Sequence, residues 1–296
     1  MTMTLTLRYA NAPLGHEILG VDLSKDLNDA TFTEIERTFD QYGVVLFRDQ
    51  KLTPHQQADF SRRFGSLEKF LIDTFLLPGF PEIFVVSNII ENGRPIGMAD
   101  AGRNWHSDMA FVECPPRGSA LYALEVPHDA AGVALGDTLF ASTSAAYDAL
   151  PEETQRRIDG LKVLNSYRIF TERKARQEMG DGGKKTQAER EKNKDSVPDV
   201  IHPLVRTHPR TGRKCLYVSG PLSVGIVGMP ETEADELLDM LREHMTQPRF
   251  VYRHSWRVGD FILWDNCSAI HNALGDYQLP QRRLMHRTTI EGTVPF

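Results

Sequence analysis

Short, strongly apolar runs rich in β-branched residues, set apart by turn-forming or charged stretches, are what most restrict the folds open to this chain. GVVLF at 43–47 has the unbroken apolar character of a strand buried on both faces. FVVSNII at 84–90, FVYRHSW at 250–256 and GDFILWDN at 259–266 are of the same kind, and 20–23 reads as a further short strand. A turn at 209–212 divides the strand-like HPLVRTHPRTGRKCLYVSG. Helical spacing is confined to a few places. Asp29 can cap a helix with Phe32, Ile35 and Phe39 on one face, and Thr53 opens a second helix, TPHQQADFSRRFG, that Gly65 stops. Residues 142–162 are helical in pattern, with Pro151 starting a second part, and another helix covers 231–245. Many short strands with a few helices must bury sheet against sheet, so the expectation is a mainly β fold with flanking helices (α+β), a β-sandwich or jelly roll.

The 296 residues, 41% of them hydrophobic, can bury a large core and fit a single domain spanning 1–296. A net charge of -6, with no Lys/Arg cluster interleaved with aromatics, argues against nucleic acid as partner. The start, MTMTLTLRYANAPLG, lacks a basic region followed by an apolar core, and no run approaches membrane-spanning length, so a cytoplasmic protein without membrane contact is expected. Cys114, Cys215 and Cys267 have no CxxC spacing and suggest neither disulfides nor a thiolate zinc site. Residues 171–200 are charged throughout and cannot form core; they read either as a solvated excursion or as a lid over an active site.

One tripeptide carries chemistry. In an extended strand residues i and i+2 face the same way, so His106 and Asp108 would converge on one point. A third ligand must come from elsewhere, and His271, in WDNCSAIH, is the candidate. Two histidines and a carboxylate leave three open positions on a ferrous ion, enough for a bidentate co-substrate and dioxygen. Further on, alternation puts Arg283, Met285 and Arg287 on one face of the tail and Arg282, Leu284 and His286 on the other.

NWHSDMAF, GDTLFAS, HPLVRTHPRTGRK, WDNCSAIH and DYQLPQRRLMHRTTI occur in an order and spacing that resemble the taurine and 2,4-dichlorophenoxyacetate dioxygenase family of Fe(II)- and 2-oxoglutarate-dependent oxygenases. The resemblance covers about 14–292 and implies a double-stranded β-helix, another name for the jelly roll, and an oxygenase that splits 2-oxoglutarate to succinate and CO2 while O2 is consumed. It makes His106, Asp108 and His271 the iron ligands, with Trp264 and Asn266 nearby as candidates to orient them. It places the distal carboxylate of 2-oxoglutarate on Arg283 and the Thr138 hydroxyl; counting from the histidine would select Arg282, whereas the PQRRLMHR motif selects Arg283. Arg287 corresponds to the arginine for an anionic primary substrate. A homodimer or homotetramer is the implied assembly.

Departures from the family pattern bear on substrate. Where taurine-specific relatives carry a histidine and a tyrosine, this chain has Phe70 and Asp73, and Gly102 replaces an asparagine four residues before the first ligand. Phe70, Phe170 and Leu222 would make the pocket apolar, with Lys69 as an added positive charge. The expectation is hydroxylation of an aryloxyalkanoate, alkylsulfonate or related anion, with C–O or C–S cleavage where the hydroxylated carbon bears an ether oxygen or sulfonate. Two other readings stand beside it: a zinc-dependent hydrolase on the same triad, and a non-catalytic jelly roll that binds small acids.

Overall fold

The computed structural model describes residues 5–69, 75–172 and 197–296. Its framework is an eight-stranded sheet, in spatial order Thr6–Arg8, His16–Leu19, Val44–Phe47, Phe261–Asp265, Gly118–Glu125, Leu284–Ile290, Phe80–Ser87 and Leu76–Leu77. All neighbours run antiparallel except His16–Leu19 beside Val44–Phe47. A three-stranded sheet of Val251–His254, Thr138–Ser142 and Ala269–Ala273 faces it. The pair forms the jelly roll expected from the strand pattern.

Both faces of the large sheet are covered, which explains why its strands read as continuous apolar runs. Leu46, Ile262, Trp264, Leu121 and Met285 pack inward against Phe140 and Ala269 of the small sheet. Their strand neighbours Val45, Phe47, Phe261 and Leu263 turn outward onto the helices Asp29–Tyr42 and Pro54–Arg62 through Phe32, Ile35, Phe39 and Phe60. A third cluster packs the helix Glu231–Met245 and the short helix Thr143–Asp148 behind Ala141 and Ile270 of the small sheet. Among the described residues, no helix is long and apolar enough to cross a membrane.

Local signals explain most element ends. Thr53 and Gln56 form a reciprocal capping box, with Pro54 opening the second helix. Gly43, at φ +70, ends the first helix by donating its N–H to the Phe39 carbonyl. Four expectations are corrected. The early strand is His16–Leu19, not 20–23, because Gly20 adopts φ +74 and turns the chain. Asn28, not Asp29, caps the first helix, accepting from the Thr31 N–H. Lys162 begins a strand, Lys162–Asn165, rather than ending a helix that stops at Ile158. His106 and Asp108 do not share a strand: His106 makes one isolated bridge, and the chain then turns, with Met109 at φ +48. Most of the charged stretch expected to be an excursion or lid, 173–196, lies outside the described residues, as do Phe70 and Asp73.

Candidate active site

His106 and His271 are joined by a single two-way backbone contact: the His106 N–H donates to the His271 carbonyl at 3.0 Å and the reverse bond is 2.8 Å. His271 is fixed in turn within Ala269–Ala273, which is hydrogen-bonded to Thr138–Ser142. Asp108 reaches the same point from a turn. Its N–H donates to Asn266 Oδ1 at 3.3 Å, while Ser107 between the two points away and donates its hydroxyl to the Asn266 carbonyl at 2.8 Å. The alternation expected of a strand is thus achieved by a turn pinned to Asn266.

The donor atoms converge. Asp108 Oδ1 lies 3.5 Å from His106 Nε2 and 3.7 Å from His271 Nε2, and one atom from each residue falls within 4.8 Å of the others. His106 Nδ1 is 2.6 Å from the Asn104 carbonyl, which can only accept, so the proton sits on Nδ1 and the Nε2 lone pair faces the centre. Ser119 donates its hydroxyl to Asp108 Oδ2 at 2.7 Å, leaving Oδ1 for the centre. Burial alone would raise the Asp108 pKa, yet the facing His271, His106 and Arg287 offset it and hold the carboxyl well below the usual range. Burial, reinforced by His106, pushes His271 down to about 3, so its ring is neutral near pH 7. A carboxylate and two imidazole nitrogens facing one point suit a divalent metal.

Of the two orienting residues suggested by sequence, Asn266 holds the Asp108 backbone rather than a ligand side chain. Trp264 packs its ring 4.8 Å from His271 and donates Nε1 to Asn266 Oδ1 at 3.2 Å. The groups that bond the candidate ligand side chains, Ser119 and Asn104, carry no sequence signal of their own. Cys267 is buried, its thiol pKa pushed up by contact with Cys215 and by burial. A second convergent set, His208, Asp265 and Cys267, is already committed to hydrogen bonds. His208 Nε2 lies 2.6 Å from Asp265 Oδ2, its Nδ1 accepts the N–H groups of Arg210 and Thr211, and Asp265 Oδ1 accepts the Cys267 N–H.

A cavity beside His106 and His271 is lined by Val86, Ala101, Gly102, Leu121, Thr138, Phe140, Trp264, Ala273, Arg283 and Arg287. Arg282 points out and pairs with Glu125 at 2.8 and 3.0 Å, whereas Arg283 is 2% exposed. The Arg283 guanidinium lies 5.4 Å from the Tyr277 ring and 6.0 Å from the Trp256 ring, and donates to the Tyr277 hydroxyl at 3.1 Å. Its Nε, also buried, has no hydrogen-bond partner among the described residues. Trp256 donates Nε1 to Thr138 Oγ1 at 3.0 Å, so the threonine proton is free to point into the cavity. Gly136 makes room for this wall, since a Cβ there would come within 2.9 Å of Tyr277. Tyr277 and Trp256 went unassigned in the sequence, although buried aromatics with polar tips must find partners.

Arg287 stands 5.0 Å over the Phe84 ring, with NH1 3.8 Å from Asp108 Oδ1. Phe170 is half-buried against Tyr167, and Leu222 is buried in a short 3-10 turn; neither lines the cavity. Lys69 is exposed along a separate surface groove. Gly102 does line it, at φ +75, and a Cβ there would sit 3.2 Å from His106 Cε1.

A family model described as taurine catabolism dioxygenase TauD, TfdA family, matches residues 6–289. The chain is 36% identical to an alpha-ketoglutarate-dependent 2,4-dichlorophenoxyacetate dioxygenase of Cupriavidus pinatubonensis, covering 91% of each chain. It is 34% identical to the enzyme of the same name from a Burkholderia species, over 98% of this chain and 95% of that one. Among solved structures it is similar to AAD-2 in complex with Mn(II) and N-oxalylglycine, with a TM-score of 0.78, 33% identity and 99% of each chain covered.

Proposed function

The chain belongs to the taurine catabolism dioxygenase TauD, TfdA family and is a 2-oxoglutarate-dependent non-haem iron dioxygenase, from which we infer that His106, Asp108 and His271 hold its Fe(II) and Arg283 anchors 2-oxoglutarate. The observation that carries this reading is the pairing, around one cavity, of a convergent His/Asp/His donor set with a buried guanidinium whose Nε lacks a partner among the described residues. A buried guanidinium left short of an acceptor is costly, and a carboxylate supplies what it lacks. The oxidising power comes from iron and dioxygen, with 2-oxoglutarate consumed to succinate and CO2. Placement is the chain's own part. Ser119 and Asn104 aim two of the ligand side chains, Trp256 turns the Thr138 hydroxyl toward the co-substrate carboxylate, and the apolar walls exclude water.

The substrate is an organic acid with an apolar body. Arg287, held over Phe84 beside the triad, receives the anionic group, and Val86, Leu121, Phe140, Ala101 and Ala273 surround the remainder. Such walls suit an aryloxyalkanoate better than taurine, whose ammonium would meet no acceptor on them, and the relatives named for 2,4-dichlorophenoxyacetate support the same class. Hydroxylation at the carbon bearing an ether oxygen gives a hemiacetal that collapses to a phenol and an oxo acid.

Anaerobic titration tests the site. Fe(II) with 2-oxoglutarate should give a visible charge-transfer band that His271→Ala abolishes; an unchanged band in that variant refutes the ligand assignment. A zinc hydrolase on the same triad would be indifferent to omission of 2-oxoglutarate. Across a panel of aryloxyalkanoates, alkylsulfonates and taurine, succinate release should be stimulated most by apolar acids, and preference for taurine would overturn the substrate class.

A further inference from the structure

We propose that Ser87 and Asn88 are positioning residues that decide which of two adjacent arginines faces the co-substrate, and so set the affinity for 2-oxoglutarate. This rests on Arg283 being its anchor. Arg283 sits where neither neighbouring strand holds it by regular pairing. Its strand, Leu284–Ile290, makes its last pair with Phe80–Ser87 at Leu284 opposite Ser87, and on the other side the register with Gly118–Glu125 slips between Leu284 and Met285. Two adjacent side chains take over. The Ser87 hydroxyl donates to the Arg283 carbonyl at 2.8 Å, and Asn88 Oδ1 accepts the Arg283 N–H at 2.9 Å. Asn88 Nδ2 donates to the Gln281 carbonyl at 2.9 Å, while Ser87 Oγ accepts the Ile89 N–H at 3.1 Å.

Both polar groups of the Arg283 backbone are therefore fixed by side chains. In a strand, a slip of one residue sends every side chain to the opposite face. Here it would send Arg283 outward and bring Arg282 into the cavity wall. The Arg282 pair with Glu125 is exposed and contributes too little to prevent this. Ser87 is fully buried, so its bond to Arg283 has no water competing for it.

The test compares binding of 2-oxoglutarate and of Mn(II) to Ser87→Ala, Asn88→Ala, Ser87→Thr and Arg283→Ala, by calorimetry on the full chain with thermal melting alongside. Ser87→Ala and Asn88→Ala should each weaken 2-oxoglutarate about tenfold, the effect of losing the one hydrogen bond that each makes to Arg283, with Mn(II) affinity kept. Ser87→Thr, which retains the hydroxyl, should bind as the parent does. If Arg283→Ala abolishes 2-oxoglutarate binding while the Ser87 and Asn88 variants bind normally, or lose Mn(II) and 2-oxoglutarate affinity in parallel, the positioning role is overturned. Should Asn88→Ala fail to fold, the Ser87→Ala and Ser87→Thr pair decides alone. If Arg283→Ala binds 2-oxoglutarate unchanged, the anchor assignment itself falls.

Discussion

A buried carboxylate is costly, and Asp108 carries its charge only because both of its oxygens are engaged. Oδ2 accepts from Ser119, and Oδ1 faces two imidazoles and Arg287. Removing the Ser119 hydroxyl frees the carboxylate to rotate without altering any of the three proposed ligands. Ser119→Ala should weaken Mn(II) binding by about 10–100-fold, the usual cost of losing a group that orients a ligand, with little change in melting temperature. Unchanged Mn(II) affinity by calorimetry would show that the hydroxyl orients nothing. Three ligand candidates and two arginines were legible in the sequence because several short motifs, each weak alone, stand in an order that resembles one family. Ser119, Asn104, Trp256 and Tyr277 were not, since each is an ordinary residue of its strand or loop until the folded backbone aims it at its partner, whether two residues away, as Asn104 is from His106, or 118, as Trp256 is from Thr138. Tyr277 stood in plain view within DYQLPQRR, six residues before Arg283, yet nothing local says that its hydroxyl accepts from that guanidinium.

At the level of elements, two helices followed their signals because caps and periodicity are local. The helix Glu231–Met245 has the bounds its spacing indicates, and Thr53 opens the second as expected. The first helix separates two neighbouring candidates for one role. Asn28 accepts from the Thr31 N–H at 2.9 Å, whereas Asp29 lies one residue inside and pairs with Arg63 at the surface. Asn28→Ala should therefore cost about 1 kcal/mol in urea unfolding, and Asp29→Ala distinctly less. Equal losses would return the cap to Asp29. The tripeptide at 106–108 misled for the opposite reason. Its residues look like a strand, but the bridge to His271 lasts one pair, and the turn that follows depends on Asn266, which no local pattern announces.

For the whole molecule, acid should be the weak side. Burial pushes His286 down to about 4 and, with His106, pushes His271 down to about 3, whereas in the unfolded chain both take protons near 6.5. Because the unfolded form binds more protons below that value, stability is full above about 6.5 and falls as pH drops toward 4 for His286, with His271 extending the loss in metal-free protein. His286→Leu should flatten the melting temperature between pH 6.5 and 4.5 relative to the parent, and identical slopes would show that His286 is not a source of acid sensitivity. The single bridge between His106 and His271 also bears on biosynthesis. A chain emerging from the ribosome presents His106 and Asp108 early, but two donors on an unfolded segment retain iron poorly. Closure waits for His271, and the arginines follow later still. With His106, Asp108 and His271 as the inferred iron ligands, the donor set is complete only once nearly all the strands around it have been made, so a half-made chain would be spared a redox-active ion against its own exposed core.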